Sequence, residues 1–344
     1  MTDIQKANLL HQVLQHFDVS EDQLKKWLAQ IQDESVRENF QRFRDGLKVE
    51  DNYRHFASAL PWVKNINAID QQQEPVHKKE YQAPDYTLFV ENSSKEVFTL
   101  LVDVKSVKGN KEVLEITPKQ KHALMNYARD SKAPLVLAIY WEKINYWTHN
   151  VIRQLTGKKA NKLSWQEAMK NDVSHVLGDA TFMIEKPFYR RTRFYAGPTK
   201  EGGQHKKYGH YSTIEVGLDL KAMKEYSVFE SSVIDCMFRA REVECVSEDN
   251  SELLVTEIFA ETLMLPKITN WLVKLLQIWG IEPSEKPFDM KVTEMGRLCI
   301  FNLMNDLGYT PFYAIPESKN AGTDELFRLA YHETSVWRSY ENSK

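Results

Sequence analysis

The stretch "APDYTLFVENSSKEVFTLLVDVKS", Ala83 to Ser106, decides the fold of this chain. Two runs rich in branched and aromatic residues flank the polar cluster Glu91 to Glu96, the pattern of a β-hairpin. Runs this apolar belong in an interior, yet Asp85 opens the first, and Asp103 and Lys105 lie inside the second. Burying a charge is costly unless it is paired or coordinates a metal. If Asp85 faces Asp103 across the turn, the turn centres on Ser94, within the segment where composition independently places it. Side chains alternate faces along a strand, so Asp103 and Lys105 share one face while Val102 and Val104 share the other. The hairpin thereby brings two carboxylates and one ammonium to one place. Paired carboxylates suit a hard cation such as Mg²⁺, which takes oxygen ligands and keeps several waters. A lysine beside that cation can position or deprotonate an attacking water, or stabilise charge on a phosphate.

The segments after the hairpin fit the same design. "TPKQKHALMNYARD", Thr117 to Asp130, reads as a helix starting near Pro118, with Thr117 and Gln120 as a capping box and proline at the first helical position. "APLVLAIYW", Ala133 to Trp141, is an apolar strand, and "INYWTHNV", Ile144 to Val151, reads as another. With "PD" at Pro84-Asp85 and "DVK" at Asp103 to Lys105, this order resembles the PD-(D/E)XK phosphodiesterase superfamily, which includes restriction endonucleases and Holliday-junction resolvases. The resemblance spans roughly residues 50 to 151. It implies that Asp85 and Asp103 are metal ligands, with the Val104 carbonyl as a third, and that Lys105 is the catalytic lysine. The implied metal is Mg²⁺, or Mn²⁺ in its place. It also implies a glutamate on the helix before the hairpin, for which Glu50 is the candidate, with Glu38 behind it. Gln120 matches a glutamine that some members carry on the following helix. Their tyrosine four residues on is here Leu124, and Tyr127 lies two turns from Gln120. The capping box accounts for Gln120 without chemistry, so both readings stand.

The chain has 344 residues, 42% hydrophobic and 27% charged, the profile of a folded protein of two domains or of one with a large extension. No apolar run is long enough to span a membrane, and the amino end lacks the basic-then-apolar pattern of a secretory signal. Cys236, Cys245 and Cys299 are too few and scattered for a disulfide framework or a zinc site. A cytoplasmic protein without membrane attachment is the expectation. The residues before the hairpin read as helices, with Ser20 and Gln23 forming a capping box. After Val151 a polar connector, "LTGKKANKLSW", leads to a helix capped by Ser164 and Glu167, then to strands with Gly-rich turns as far as Leu220. Leu253 to Trp279, interrupted at Pro266, and Val292 to Leu307, stopped by Gly308, read as helical. The expected class is α/β, a restriction-endonuclease-like core of a mixed central sheet flanked by helices. Amino-terminal helices over 1–48 precede that core at 49–155, and a carboxyl-terminal α+β recognition domain over 156–344 follows it.

The net charge of -3 gives no global attraction to nucleic acid, so a basic footprint has to be local. "KPFYRRTRFYAGPTKEGGQHKK", Lys186 to Lys207, holds seven Lys or Arg against one acid, Glu201. Lys186, Arg190, Arg191, Arg193, Lys206 and Lys207 are therefore candidate phosphate contacts, and Phe188, Tyr189, Phe194 and Tyr195 could stack on unpaired bases. The bland alternative is a half-buried strand with a basic polar face. His205 and His210 show no zinc-ligand spacing, and no phosphate-cradling lysine and hydroxyl motif accompanies the Gly202-Gly203 pair. An ATP-driven step would therefore need a separate ATPase or helicase subunit. The expected function is a Mg²⁺-dependent DNA endonuclease, with restriction or antiviral defence as its setting by analogy and a homodimer as an admissible assembly. The alternatives are a branched-DNA resolvase and a nuclease-like protein that only binds nucleic acid or scaffolds a complex.

Overall fold

The computed structural model describes residues 3–58, 60, 62–70, 77, 80–92, 94–157, 159–198, 202–247, 252–262, 264, 267, 268, 270–272, 275, 290–312, 326 and 329. Four helices lead in: α1 (Asp3–His16), α2 (Glu21–Leu28), α3 (Glu34–Glu38) and α4 (Phe40–Ser58). Ser20 and Gln23 cap α2 reciprocally, and Ala7, Leu10, Ile31 and Phe40 form a small core between these helices. A five-stranded sheet follows, built from β1 (Val63–Ala68), β2 (Tyr86–Glu91), β3 (Val97–Val107), β5 (Leu135–Trp141) and β6 (Tyr146–Val151) in the order β1-β2-β3-β5-β6. Between β3 and β5 run β4 (Val113–Ile116) and α5 (Pro118–Asp130).

The β2–β3 pair is the hairpin expected from its sequence. Tyr86 pairs with Val102 and Glu91 with Val97, antiparallel, the register that sets Asp85 opposite Asp103. Asn92 shapes the turn, its side-chain oxygen accepting the Ser94 and Glu96 amides at 2.9 Å each, while Lys95 takes φ 68°. Strand β3 then pairs in parallel with β5, Asp103 beside Leu137, because α5 carries the chain back across the sheet. A strand inside a parallel pair is covered on both faces, which is why Leu100 to Val104 are all buried. Helix α4 packs Tyr53, Phe56 and Ala57 on one face, against Leu88, Val102, Val104 and Trp147. Helix α5 packs Leu124 on the other, against Leu101, Leu137 and Ile139. This is the expected α/β class, a mixed central sheet flanked by helices.

Residues beyond the expected boundary at 155 still pack with the first core. Strand β7 (Asn161–Ser164) pairs with β4, helix α6 (Trp165–Lys170) packs with it, and Val173, Val176 and Leu177 enter the core under α4. Leu326 joins that same core from the carboxyl-terminal end of the chain. The second core begins at Ala180 and Phe182. Its sheet contains β9 (Phe188–Tyr195), β10 (Gly203–His205), β11 (Gly209–Asp219), β12 (Ala222–Tyr226), β13 (Arg241–Ser247) and β14 (Glu252–Phe259). The order is β10-β11-β9-β14-β13, with β12 on β11. Helices α7 (Val228–Met237) and α8 (Met290–Asp306) pack Val233, Ile234, Ile300 and Leu303 into this core. Short strands β8 (Thr181–Phe182) and β15 (Pro311–Phe312) pair with each other.

The expected helix from Leu253 is a strand over its first turns. Val255, Thr256, Ile258 and Phe259 are β-branched or aromatic, and β14 is hydrogen-bonded on both sides, to β9 and β13. Helix resumes farther on, where Ile268, Trp271, Leu272 and Leu275 are buried in the second core; Trp279 lies outside the described residues. Among the described residues no helix is long and apolar enough to cross a membrane.

Candidate active site

The hairpin places its two aspartates against one stretch of β3. Asp85 stands at the threshold of β2, where its carbonyl accepts the Ile69 amide at 2.9 Å and its Oδ2 accepts the Val104 amide at 2.6 Å. Asp103 is 1% exposed. The Lys105 ammonium lies 2.5 Å from Asp103 Oδ2 and donates to the Val104 carbonyl at 3.1 Å. A positive charge therefore already sits between two of the oxygens assigned as metal ligands. The ammonium pairs with Asp103 Oδ2, which leaves Oδ1 without a donor among the described residues. A buried carboxylate with unused lone pairs is unusual, and a bound cation is one of the few groups that would satisfy it.

Glu50 completes the group. It lies on α4, where its backbone carbonyl accepts the Tyr86 hydroxyl at 3.0 Å, and Tyr86 directly follows Asp85. Burial pushes the Glu50 carboxyl up to about 7; Lys105 pulls against that shift, and Asp103 and Asp51 add to it. Burial also holds the Asp85 carboxyl well above the usual range, with the charges of Asp103 and Glu50 adding to it. For Lys105, burial favours the neutral amine, but Asp103, Asp85 and Glu50 outweigh it and raise the pKa. Three acids and one ammonium thus feel one another across this site. Glu38, the alternative, is exposed at the end of α3.

Among the described residues no three or more His, Cys, Asp or Glu are gathered at metal-holding spacing. Asp85 and Asp103 offer two carboxylates, and Val104 offers a backbone carbonyl. This all-oxygen set, with Asp103 Oδ1 lacking a donor, fits Mg²⁺ or Mn²⁺, which need few protein ligands because they retain waters.

Gln120 lies in the first turn of α5. Its amide donates to Thr117 Oγ1 at 3.1 Å, and its side chain makes no hydrogen bond among the described residues. The reciprocal half of the expected capping box is absent at this end. Leu124 is fully buried under the sheet, and Tyr127 packs partly buried beside it.

The basic segment is largely neutralised where it lies. The Arg190 side chain is 12% exposed and bonds Glu257 at 2.8 Å and Asp235 at 2.7 Å, with its guanidinium 5.1 Å from the centre of the Phe259 ring. Arg193 bonds Glu252 at 2.8 Å. Both are ion-paired on the face of the sheet. Arg191 lies between Glu215 of β11 and Thr256 of β14, with a buried Nε that lacks a hydrogen bond. Phe188 and Phe194 are interior, so neither offers a face to a base. Lys186 and Lys206 are exposed, and Lys207 lies 3.5 Å from Glu242. Lys200 and Glu201 lie outside the described residues.

Sequence reasoning missed a second polar cluster, buried between the two cores. His149 and Lys267 lie 118 positions apart, and tertiary packing brings them together with Asp172, Ser174 and Tyr53. A histidine in the apolar "YWTHNV" is the one local signal of it.

No family model matches the chain, and no curated protein matches it. Eight solved chains do. One is the 1.6 Å structure of Hjc, a Holliday junction resolvase from the archaeal hyperthermophile Archaeoglobus fulgidus, similar to this chain at 15% sequence identity with a TM-score of 0.31. The match covers 39% of this chain and 96% of that one.

Proposed function

We propose that this chain is a divalent-metal-dependent nuclease that hydrolyses phosphodiester bonds in DNA. The observation that carries the reading is the buried Asp103 carboxylate, whose Oδ2 pairs with Lys105 and whose Oδ1 has no donor among the described residues, set beside Asp85 and Glu50. In this reading Asp85, Asp103 and the Val104 carbonyl hold Mg²⁺ or Mn²⁺. When bound, the metal would supply Lewis-acid stabilisation of phosphate charge and lower the pKa of a water. Lys105 keeps its ammonium charge at neutral pH and directs it at the phosphate. Its neighbours sustain that charge, because three acids outweigh the burial that opposes it. Glu50, with a carboxyl near pH 7, is matched to taking a proton from the attacking water at that pH. The carboxyl-terminal unit, with Lys186, Lys206 and Lys207 on its surface, would recognise the substrate. Arg190 and Arg193 are left out of that role. A setting in restriction or antiviral defence belongs to this proposal by analogy alone.

The test is incubation of the purified protein with supercoiled, linear, single-stranded and branched DNA, with Mg²⁺ or with EDTA. Cleavage in Mg²⁺ that stops in EDTA is expected, and preference for a branched substrate would make it a resolvase. Absence of metal-dependent cleavage on all of these and on RNA would sink the proposal.

A further inference from the structure

The cluster between the two cores can be followed atom by atom. Lys267 is 1% exposed and bridges to β8 through Thr181. Its Nζ donates to the Trp147 carbonyl at 2.8 Å, Asp172 Oδ2 at 2.6 Å and Ser174 Oγ at 2.5 Å, and lies 3.6 Å from Asp179 Oδ2. Asp172 Oδ1 accepts the His149 amide at 2.8 Å, the Ser174 amide at 3.0 Å and the Ser174 hydroxyl at 2.5 Å. Ser174 Oγ also meets His149 Nδ1 at 2.7 Å, and His149 Nε2 meets the Tyr53 hydroxyl at 3.0 Å. One proton assignment satisfies the chain. The Ser174 hydroxyl donates to Asp172, so its oxygen accepts from Lys267 and from Nδ1–H, which leaves Nε2 to accept from Tyr53. Burial, aided by the Lys267 charge, lowers the His149 pKa to about 3 and keeps the ring neutral as this requires.

The chain of bonds begins in the carboxyl-terminal unit and ends on α4. Tyr53 lies one turn from Glu50 on that helix, and its ring packs against Tyr86, whose hydroxyl holds the Glu50 carbonyl. We infer that Lys267 and His149 are positioning residues, through which the carboxyl-terminal unit fixes the placement of α4 and so of Glu50 in the proposed nuclease site. This rests on the nuclease reading. Apolar residues of similar size would hold the two cores together as well as a buried ion cluster does. What apolar contacts cannot supply is direction, and each bond from Lys267 to Tyr53 admits one geometry.

Two variants test this. Tyr53→Phe keeps the packed ring and deletes only the hydroxyl. Lys267→Met, made together with Asp172→Asn, removes the cation without stranding its first acid. Both are assayed for kcat and KM on DNA and, without DNA, for the Mg²⁺ concentration that gives half of the metal-induced rise in melting temperature. Misplacing one catalytic group should lower kcat on the order of ten-fold with KM unchanged, and leave half-saturating Mg²⁺ near the wild-type value because Glu50 is not among the assigned ligands. Variants that melt lower by an equal amount with and without Mg²⁺, while kcat keeps its wild-type value, would show a purely structural cluster and overturn the inference alone. Wild-type protein that neither responds to Mg²⁺ nor cleaves would overturn the nuclease reading and this inference with it.

Discussion

Asp85 and Glu50 are both held protonated beyond the usual carboxylate range, and the sign of that shift fixes what pH does to the metal-free protein. An acid whose folded pKa is raised binds its proton more tightly when folded. Its stabilising effect is complete below the unfolded pKa and is lost as pH climbs through the folded one. For Glu50 that window runs from 4.5 to about 7. Stability of the metal-free protein should therefore decline across it, and Glu50→Gln should flatten the decline in denaturant titrations at stepped pH. An unchanged slope would place the Glu50 carboxyl in water. Asp85→Asn follows the same logic. Burial first, and then Asp103 and Glu50, oppose its ionisation, so the substitution should leave stability at pH 8 unchanged or higher while cleavage is lost. A stability loss there would mean that the ionised Asp85 is a structural partner. Residues shaped for function are commonly held at such a cost to stability.

Among the elements, the hairpin is legible in the sequence because its signals agree: two runs of branched and aromatic residues, a polar turn between them, and a turn centre that faces one aspartate with the other. Strand β9 is not legible in the same way, for a reason that lies in β14. The stretch from Leu253 has the apolar density of a helix, and a helix there would not set its acids opposite the arginines. Once β14 is a strand, Glu257 falls directly across from Arg190, and Glu252 comes within reach of Arg193. The strand in place of the expected helix and the ion-pairing of Arg190 and Arg193 therefore have one cause. Arg190→Ala should consequently destabilise the protein by about 2 kcal/mol, the scale of the charged hydrogen bonds that this largely buried arginine makes, as read from chemical denaturation. The exposed lysines should behave in the opposite way. Replacing Lys186, Lys206 and Lys207 with alanine should spare stability and reduce the salt dependence of DNA binding by about one unit of slope for each phosphate no longer neutralised. An unchanged slope would move the substrate surface elsewhere.

On the scale of the whole molecule, the two cores are less separate than the sequence suggests. Connector residues up to Leu177 belong to the first core, and Leu326 returns to it from the far end of the chain. Neither is legible in the sequence, since packing between segments so distant leaves no local periodicity to read. Leu326 is fully buried, so Leu326→Ala should cost about 2–4 kcal/mol and lower the melting temperature of the unit that carries the aspartates. A shift near zero would mean that the carboxyl-terminal end is not part of that core.

The central claim is that the charges of "LLVDVKS" serve a metal and a phosphate. The most direct measurement is a Mg²⁺ melting titration on wild type, Asp103→Ala and Lys105→Ala, with cleavage assayed on the same samples. Mg²⁺ should raise the wild-type melting temperature by mass action and raise that of Asp103→Ala much less, with cleavage abolished. Lys105→Ala should keep the metal-induced shift and lose turnover, because its charge acts on the transition state and not on the metal. Equal shifts in wild type and Asp103→Ala, with full activity in both, would contradict the account.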